Sequence, residues 1–251
     1  MLRVESDGPI LSITLDRPEV KNAFNAELIS ALTDAFTGPG KDARVVVVTG
    51  AGDAFCAGGD LQWMRQAAGY TVDQNAADAL RLANLFQSIV DCPAVVIARV
   101  NGACFGGGCG LVAASDVAVC SDKSLFAFSE VKLGVVPATI SPFVVPKIGH
   151  GHARALFATG EAFGARRAEI IGLVHEVATL EDLDAAVEQK VKAVLASGPK
   201  AVAKSKWLAQ QSPLSLEAAS QLLAATRAGD EAREGISAFL EKRSASFVVK
   251  R

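Results

Sequence analysis

The sequence predicts an α/β fold whose strands are joined by crossovers, and three observations lead there. Short β-rich runs alternate with helical stretches through residues 1–195 or so. Arg44-Val45-Val46-Val47-Val48-Thr49 is a continuous β-branched run, the pattern of a strand covered on both faces. Glycine clusters sit where strands give way to helices. Strands separated by crossovers indicate an α/β spiral rather than a sandwich.

In chain order, strands are predicted at 10–15, 45–49, 95–100 and 117–120, with a further one at 125–128. Helical spacing covers 26–36, 61–68, 73–89, 111–115, 142–148, 152–158, 165–171 and 180–197. Gly38-Pro39-Gly40 reads as a turn between the first helix and the 45–49 strand. From Pro199 onward the chain is helical, at 200–210, 214–228 and 231–244. These last helices have apolar positions spaced for packing but little core of their own. The division expected is therefore an α/β core, 1–195, and a helical region, 196–251. At 251 residues and 50% hydrophobic, the chain is long enough to bury one sizeable core with such an appendage.

Composition excludes several function classes. A formal charge of −2 argues against a nucleic-acid or membrane-surface role. The start, Met1-Leu2-Arg3-Val4-Glu5, carries charges where a signal peptide needs an apolar stretch, and no apolar run approaches membrane-spanning length. Cys56, Cys92, Cys104, Cys109 and Cys120 form no CxxC pair and are odd in number; they read as small buried thiols of a reducing cytoplasm. His150, His152 and His175 fit no metal-binding spacing. There is no GxSxG elbow, and Phe55 stands where a dinucleotide fingerprint opening at Gly50 needs its third glycine. Asp116 reads as a structural cap.

The chemistry is expected at two glycine-lined corners. Asn101-Gly102-Ala103-Cys104-Phe105-Gly106-Gly107-Gly108-Cys109-Gly110 follows a strand and precedes a small-residue helix. Consecutive glycines there cost conformational entropy and add nothing to packing; they offer N–H groups that a ligand oxygen can approach. Ala57-Gly58-Gly59-Asp60 repeats the arrangement upstream. Two such amides aimed at one oxygen form an oxyanion hole. Either cluster alone is equally readable as an ordinary tight turn.

Taken together these motifs resemble the enoyl-CoA hydratase/isomerase (crotonase) family. The likeness rests on Ala57-Gly58-Gly59-Asp60-Leu61, on the Asn101–Gly110 run and on Phe128-Ser129-Glu130-Val131-Lys132-Leu133-Gly134-Val135-Val136-Pro137. Asp16-Arg17-Pro18, Lys21-Asn22-Ala23-Phe24, Thr159-Gly160-Glu161 and Phe239-Leu240-Glu241-Lys242 extend it over nearly the whole chain. The resemblance implies a crotonase-like ββα spiral core with a C-terminal helical trimerisation region, in a homo-oligomer that is a trimer or a dimer of trimers. It also implies an acyl-CoA substrate, no separate cofactor and no metal.

Carried over residue by residue, Gly59 and Gly107 become the oxyanion donors to a thioester carbonyl. Ala57, Asp60, Leu61 and Gln62 would flank the thioester and its pantetheine arm, and Phe239 and Lys242 would touch coenzyme A. Glu130, which by sequence alone is an ordinary turn glutamate, becomes the acid/base, its pKa raised among apolar neighbours.

One departure matters. Many family hydratases carry a second glutamate directly after Gly-Gly-Gly-Cys, where this chain has Gly110. Three readings follow: Glu130 handles both water and α-proton, the enzyme is an isomerase, or the site is degraded or devoted to another acyl-CoA reaction. Gly110, Ser129-Glu130-Val131-Lys132 and Pro137-Ala138-Thr139-Ile140-Ser141-Pro142 resemble bacterial hydratases of branched, glutaconyl-type CoA esters. Lys132, Thr139 or Ser141 would then meet a distal carboxylate. The expectation is hydration of a short, branched or dicarboxylic enoyl-CoA such as a methylglutaconyl ester, as in leucine breakdown. The alternatives are a Δ3,Δ2-enoyl-CoA isomerase and a non-catalytic acyl-CoA-binding protein.

Overall fold

The computed structural model describes residues 1–211 and 213–251. Its α/β part is wound from a repeated strand–strand–helix turn. A hairpin of β1 (Leu2–Asp7) and β2 (Ile10–Leu15) leads into α1 (Ala26–Thr37). Then come β3 (Val45–Gly50) and β4 (Ala54–Cys56), followed by α2 (Leu61–Ala67) and α3 (Val72–Asp91). The next turn is β5 (Val95–Val100), β6 (Ala103–Phe105) and α4 (Gly107–Ala114). After it come β7 (Val117–Ser121), β8 (Leu125–Ala127), a 3₁₀ turn at Ser129–Leu133 and α5 (Ser141–Thr159). The chain continues through β9 (Ala162–Gly164), α6 (Ala165–Ile170), β10 (Glu176–Ala178) and α7 (Leu183–Leu195). It ends in α8 (Pro199–Ala209), α9 (Leu216–Arg227) and α10 (Asp230–Leu240).

After the β1–β2 hairpin, the first strand of each pair (β3, β5, β7) joins one sheet and the second (β4, β6, β8) joins another. The larger sheet runs β1-β2-β3-β5-β7-β10 and the smaller β4-β6-β8-β9. Every pairing in the larger sheet beyond the β1–β2 hairpin is parallel. In the smaller sheet β4, β6 and β8 are parallel neighbours, and β9 closes it antiparallel. This is the expected ββα spiral. The valine run of β3 lies between β2 and β5 with Val45, Val46 and Val48 fully buried, which explains its unbroken apolar character.

By its contacts the chain forms two compact units, Met1–Val187 and Glu188–Arg251. The second is helical, with Val191, Leu195 and Ala238 buried and several polar ties between its segments. Glu231 accepts from the backbone N–H groups of Lys200 and Ala201, and Arg243 bridges Glu234 and Glu241.

Several boundaries differ from the expected ones for local reasons. The small-residue helix starts at Gly107 rather than at 111, so the glycines form its first turn. The helix expected at 180–197 starts at Leu183, because Thr179 folds back on Asp182. The last helix stops at Leu240, and Lys242 turns left-handed just beyond it. Left-handed Gly149 (φ +76°) breaks α5 between the two helical segments predicted there. Asp116 ties strands rather than capping a helix: its Oδ2 accepts from Val96 N–H at 2.7 Å. Among the described residues, no helix is long and apolar enough to cross a membrane.

Candidate active site

Three consecutive turns of the spiral end at one edge of the smaller sheet. β4 runs into Ala57-Gly58-Gly59, β6 into Gly106-Gly107, and β8 into Phe128-Ser129-Glu130. Because β4, β6 and β8 are adjacent and parallel, these three chain ends emerge side by side. The carboxyl ends of parallel strands are where α/β folds gather ligand groups, since the loops there diverge.

The first corner is set by a short ladder with the Lys21–Phe24 segment. Ala57 N–H donates to Lys21 O, Phe24 N–H to Gly58 O at 2.7 Å, and Asp60 N–H to Phe24 O at 2.8 Å. Phe24 therefore bonds the residues on either side of Gly59, and the Gly59 N–H faces away from it. Asn22 anchors the ladder. Fully buried and left-handed, it donates to the carbonyls of Ala51 and Ala54, and its Oδ1 accepts from Arg17 N–H. Arg17 in turn donates to Ala23 O at 2.6 Å and to Asp60 Oδ2 at 2.7 Å. The other oxygen of Asp60 accepts from Gln62 N–H and caps α2. Burial is the largest single influence and raises the Asp60 pKa, but the Arg17 hydrogen bond and charge and the Gln62 and Trp63 amides together outweigh it and hold the carboxyl below its ordinary value.

The second corner is set by packing. Gly106 adopts φ +50° and ψ −117°, a conformation that glycine alone reaches without strain, and its N–H donates to Ala127 O. A Cβ at Gly108 would meet Cys56 O at 2.4 Å, so α4 crosses directly over the end of β4. A Cβ at Gly107 would lie 2.8 Å from the Phe24 ring. The corners touch: a Cβ at Gly58 would be 3.2 Å from Phe105 O and 4.0 Å from Gly106 Cα.

Among the described residues neither the Gly59 nor the Gly107 N–H donates to a protein acceptor. They follow strands of one sheet, about 4.8 Å apart. The pair suits a single developing negative charge.

Glu130 faces the same place. A Cβ at Gly106 would stand 3.3 Å from its Oε1, while its Oε2 is buried without a hydrogen-bond partner. Its backbone is fixed by Gly134 (φ +74°), which ends the 3₁₀ turn, and by Val135 N–H donating to Glu130 O. Burial, outweighing a hydrogen bond from its own amide, holds the Glu130 pKa above its ordinary value. A desolvated carboxyl of this kind is suited to taking and returning a proton.

At Gly110 the structure explains more than a missing carboxyl. A Cβ there would meet Phe86 at 2.6 Å and Ile140 at 2.7 Å. Phe86 itself packs edge-on against Phe24 and Phe143. The place of a second glutamate is an apolar wall.

A cavity of about 700 Å³ opens at the first corner, lined by Ala57, Gly59, Asp60, Leu61 and Gln62 with Arg17, Lys21 and Arg65 at hand. Lys21 and Arg65 were not singled out from the sequence. A lone basic residue in a loop carries no signal until the fold puts it beside a site. Leu61, at the edge of this cavity, is 74% exposed.

Lys132 is exposed, and its stem lies 3.3 Å from the Cβ position of Gly160. Ser141 Oγ donates to Ala138 O and lines a separate cavity of about 840 Å³ behind Val131, while half-buried Thr139 makes no such contact. Phe239, exposed, and Lys242 lie in the Glu188–Arg251 unit. The five thiols are all buried, and burial pushes Cys56 and Cys120 up to about 12, far from a reactive thiolate. Among the described residues no group of three or more His, Cys, Asp or Glu is arranged to hold a metal ion.

This geometry has close relatives. Residues 5–250 match the family model for enoyl-CoA hydratase/isomerase. The chain is 31% identical to the crotonyl-CoA hydratase of Syntrophomonas wolfei, over 98% of this chain and 97% of that one. It superimposes on the crystal structure of an enoyl-CoA hydratase from Shewanella pealeana with a TM-score of 0.92, at 34% identity over 98% of this chain and 95% of that one. AtuE of Pseudomonas aeruginosa matches with a TM-score of 0.94, at 32% identity over 99% of both chains. With a family match over nearly its whole length, the chain belongs to the enoyl-CoA hydratase/isomerase, or crotonase, family.

Proposed function

We propose that this enzyme adds water to a short enoyl-CoA thioester, branched or dicarboxylic in the manner of a methylglutaconyl ester, with Glu130 as its one proton-moving carboxyl. The observation that carries the reading is the Glu130 carboxyl itself, desolvated, with one oxygen unpartnered and the other against Gly106. The Gly59 and Gly107 amides would hold the thioester oxygen. Lys21 and Arg65, at the rim of the same cavity, would suit the phosphates of coenzyme A.

In hydration the Glu130 carboxylate takes a proton from water as the water oxygen bonds to the β-carbon. The double-bond electrons move onto the thioester, giving an enolate whose oxygen sits between the two amides. Glu130, now protonated, returns that proton to the α-carbon. The same carboxyl serves both steps, so oxygen and hydrogen add to one face. The branched, dicarboxylic preference rests on the Gly110, Ser129–Lys132 and Pro137–Pro142 resemblance. The 196–251 region would complete a trimer or a dimer of trimers, which light scattering on the purified protein would size.

The apolar wall of Phe86 and Ile140 favours a second reading, isomerisation. In that reaction Glu130 removes an α-proton from a 3-enoyl thioester and delivers it to the γ-carbon, and no water need be held. Incubation with methylglutaconyl-CoA, crotonyl-CoA and a 3-enoyl-CoA separates these. Loss of the conjugated-thioester absorbance, fastest for the branched dicarboxylic ester, supports hydration as proposed. Gain of that absorbance from the 3-enoyl ester establishes isomerisation instead, and tight binding with no turnover overturns both.

A further inference from the structure

By composition α4 is a poor helix. Gly107, Gly108 and Gly110 occupy three of its eight positions, and glycine is among the least favourable interior residues. Yet this helix has to keep the Gly107 amide still. Its last carbonyls have no partners within the helix, as at any helix end, and side chains take them up. Ser115 Oγ donates to Leu111 O at 2.8 Å. Lys147, from the first half of α5, donates its Nζ to Val112 O at 3.1 Å and to Ser115 O at 2.5 Å. α5 thus meets α4 twice, through Ile140 beside Gly110 and through Lys147 at the carbonyl end.

We infer that Lys147 is a positioning residue for the oxyanion site: by gripping the carbonyl end of α4 it fixes the Gly107 amide at the other end, about 12 Å away at 1.5 Å per residue. A charged donor at a helix C-terminus also meets the negative end of the helix dipole. Few other charges face the amine. The α4 end presents only carbonyls, residues 141–149 of α5 carry no other charge, and Asp116 is the carboxylate whose field reaches it. Burial, partly offset by Asp116, pushes the Lys147 amine down from 10.5 to about 8. Its grip therefore weakens just above neutral pH.

The inference rests on Gly107 acting in enoyl-CoA turnover, and the experiment keeps the two apart. Lys147→Met keeps the apolar stem and removes the donors; Lys147→Arg keeps donors and charge at every pH. Steady-state kinetics on crotonyl-CoA and thermal unfolding are followed from pH 6 to 10. A displaced oxyanion donor is felt in the transition state more than in substrate binding. Lys147→Met is expected to lower kcat about 10- to 100-fold with KM little changed. In the wild type kcat falls above about pH 8 while Tm rises. The unfolded chain holds the extra proton between 8 and 10.5, so raising the pH there favours folding. Lys147→Arg retains activity and loses that alkaline fall.

A folded Lys147→Met with wild-type kcat overturns the inference. So does an alkaline fall that persists unchanged in Lys147→Arg, and this arm decides the matter if the methionine variant does not fold. A wild type inactive on every enoyl thioester sinks the proposed function and the inference with it. An active wild type with indifferent Lys147 variants sinks the inference alone.

Discussion

The two glycine corners supply the same kind of group, a bare N–H, but are held in place by different physics. The Gly59 corner hangs on a polar network in which Arg17 ties Ala23 and Asp60, and Asn22 ties Ala51 and Ala54. The Gly107 corner is wedged by contact, with Phe24, Phe86, Ile140 and the Cys56 carbonyl closing on glycines that have no side chain to yield. A polar clamp responds to charge and pH and tolerates small changes of volume. A packed wedge tolerates no added atom and holds no titrating group among Phe24, Phe86 and Ile140, so pH reaches this corner from Lys147 at the far end of α4. The difference yields predictions that run from strong destabilisation to no effect.

The largest effect is expected at the packed corner. Gly110→Glu, which on paper restores a second carboxyl, forces a side chain into Phe86 and Ile140 and buries a charge among them. The expected cost is about 3 kcal/mol or more, read by chemical denaturation, with no gain in hydration. A Gly110→Glu protein as stable as the wild type, or faster, would break the wedge description.

Next comes the carboxyl between the corners. Glu130→Gln is expected to lower kcat about 10³-fold. It should also raise Tm at pH 7. The folded-state pKa lies above the reference value of 4.5, so the stability this group contributes is present at acid pH and lost as pH rises through the folded value. The wild-type kcat/KM should rise with pH through that same raised pKa. A glutamine variant that is both inactive and less stable at pH 7 contradicts the burial argument.

At the polar corner, Arg17→Met leaves the Asp60 carboxylate buried without its partner, side chains that are 14% and 8% exposed as they stand. A loss of about 3 kcal/mol in stability is expected. Asp60→Asn should cost less, because it keeps the cap on α2 while removing the charge. The Asp60 pKa is depressed, so its contribution is present above 3.8 and lost as pH falls below that value. Acid unfolding of the wild type should therefore show a component that Asp60→Asn lacks.

How much of this was legible beforehand follows from chain distance. The glycine runs are local, and their bare backbone is visible in the sequence at Gly58-Gly59 and Gly106-Gly107-Gly108. So is the buried β3, a run of valines. The three-residue strands β4 and β6 were missed, being too short for any period to show, yet they are what bring Gly59 and Gly107 side by side. The missing carboxyl at Gly110 was visible as well. The wall that fills its place was not, because Phe86 comes from α3 and Ile140 from the start of α5. Lys147 and Arg17 are likewise single charges whose meaning lies in partners far away in sequence, the Val112 and Ser115 carbonyls for one and the Asp60 carboxylate for the other.

The smallest effect is expected from the thiols beneath both corners. Burial raises the pKa of Cys104 well above its ordinary value and pushes Cys56 up to about 12. Iodoacetamide at pH 8 should leave the folded enzyme's activity unchanged, and rapid inactivation would show that the packed corner opens.

The convergence of the two amides on one oxygen is tested most directly by isotope-edited infrared spectroscopy. Crotonyl-CoA labelled with ¹³C at the thioester carbonyl is bound to Glu130→Gln, whose slowed turnover leaves time to record the bound substrate. Two convergent donors predict a carbonyl stretch shifted to lower frequency than in free crotonyl-CoA. A stretch unchanged from the free thioester in water would contradict the account.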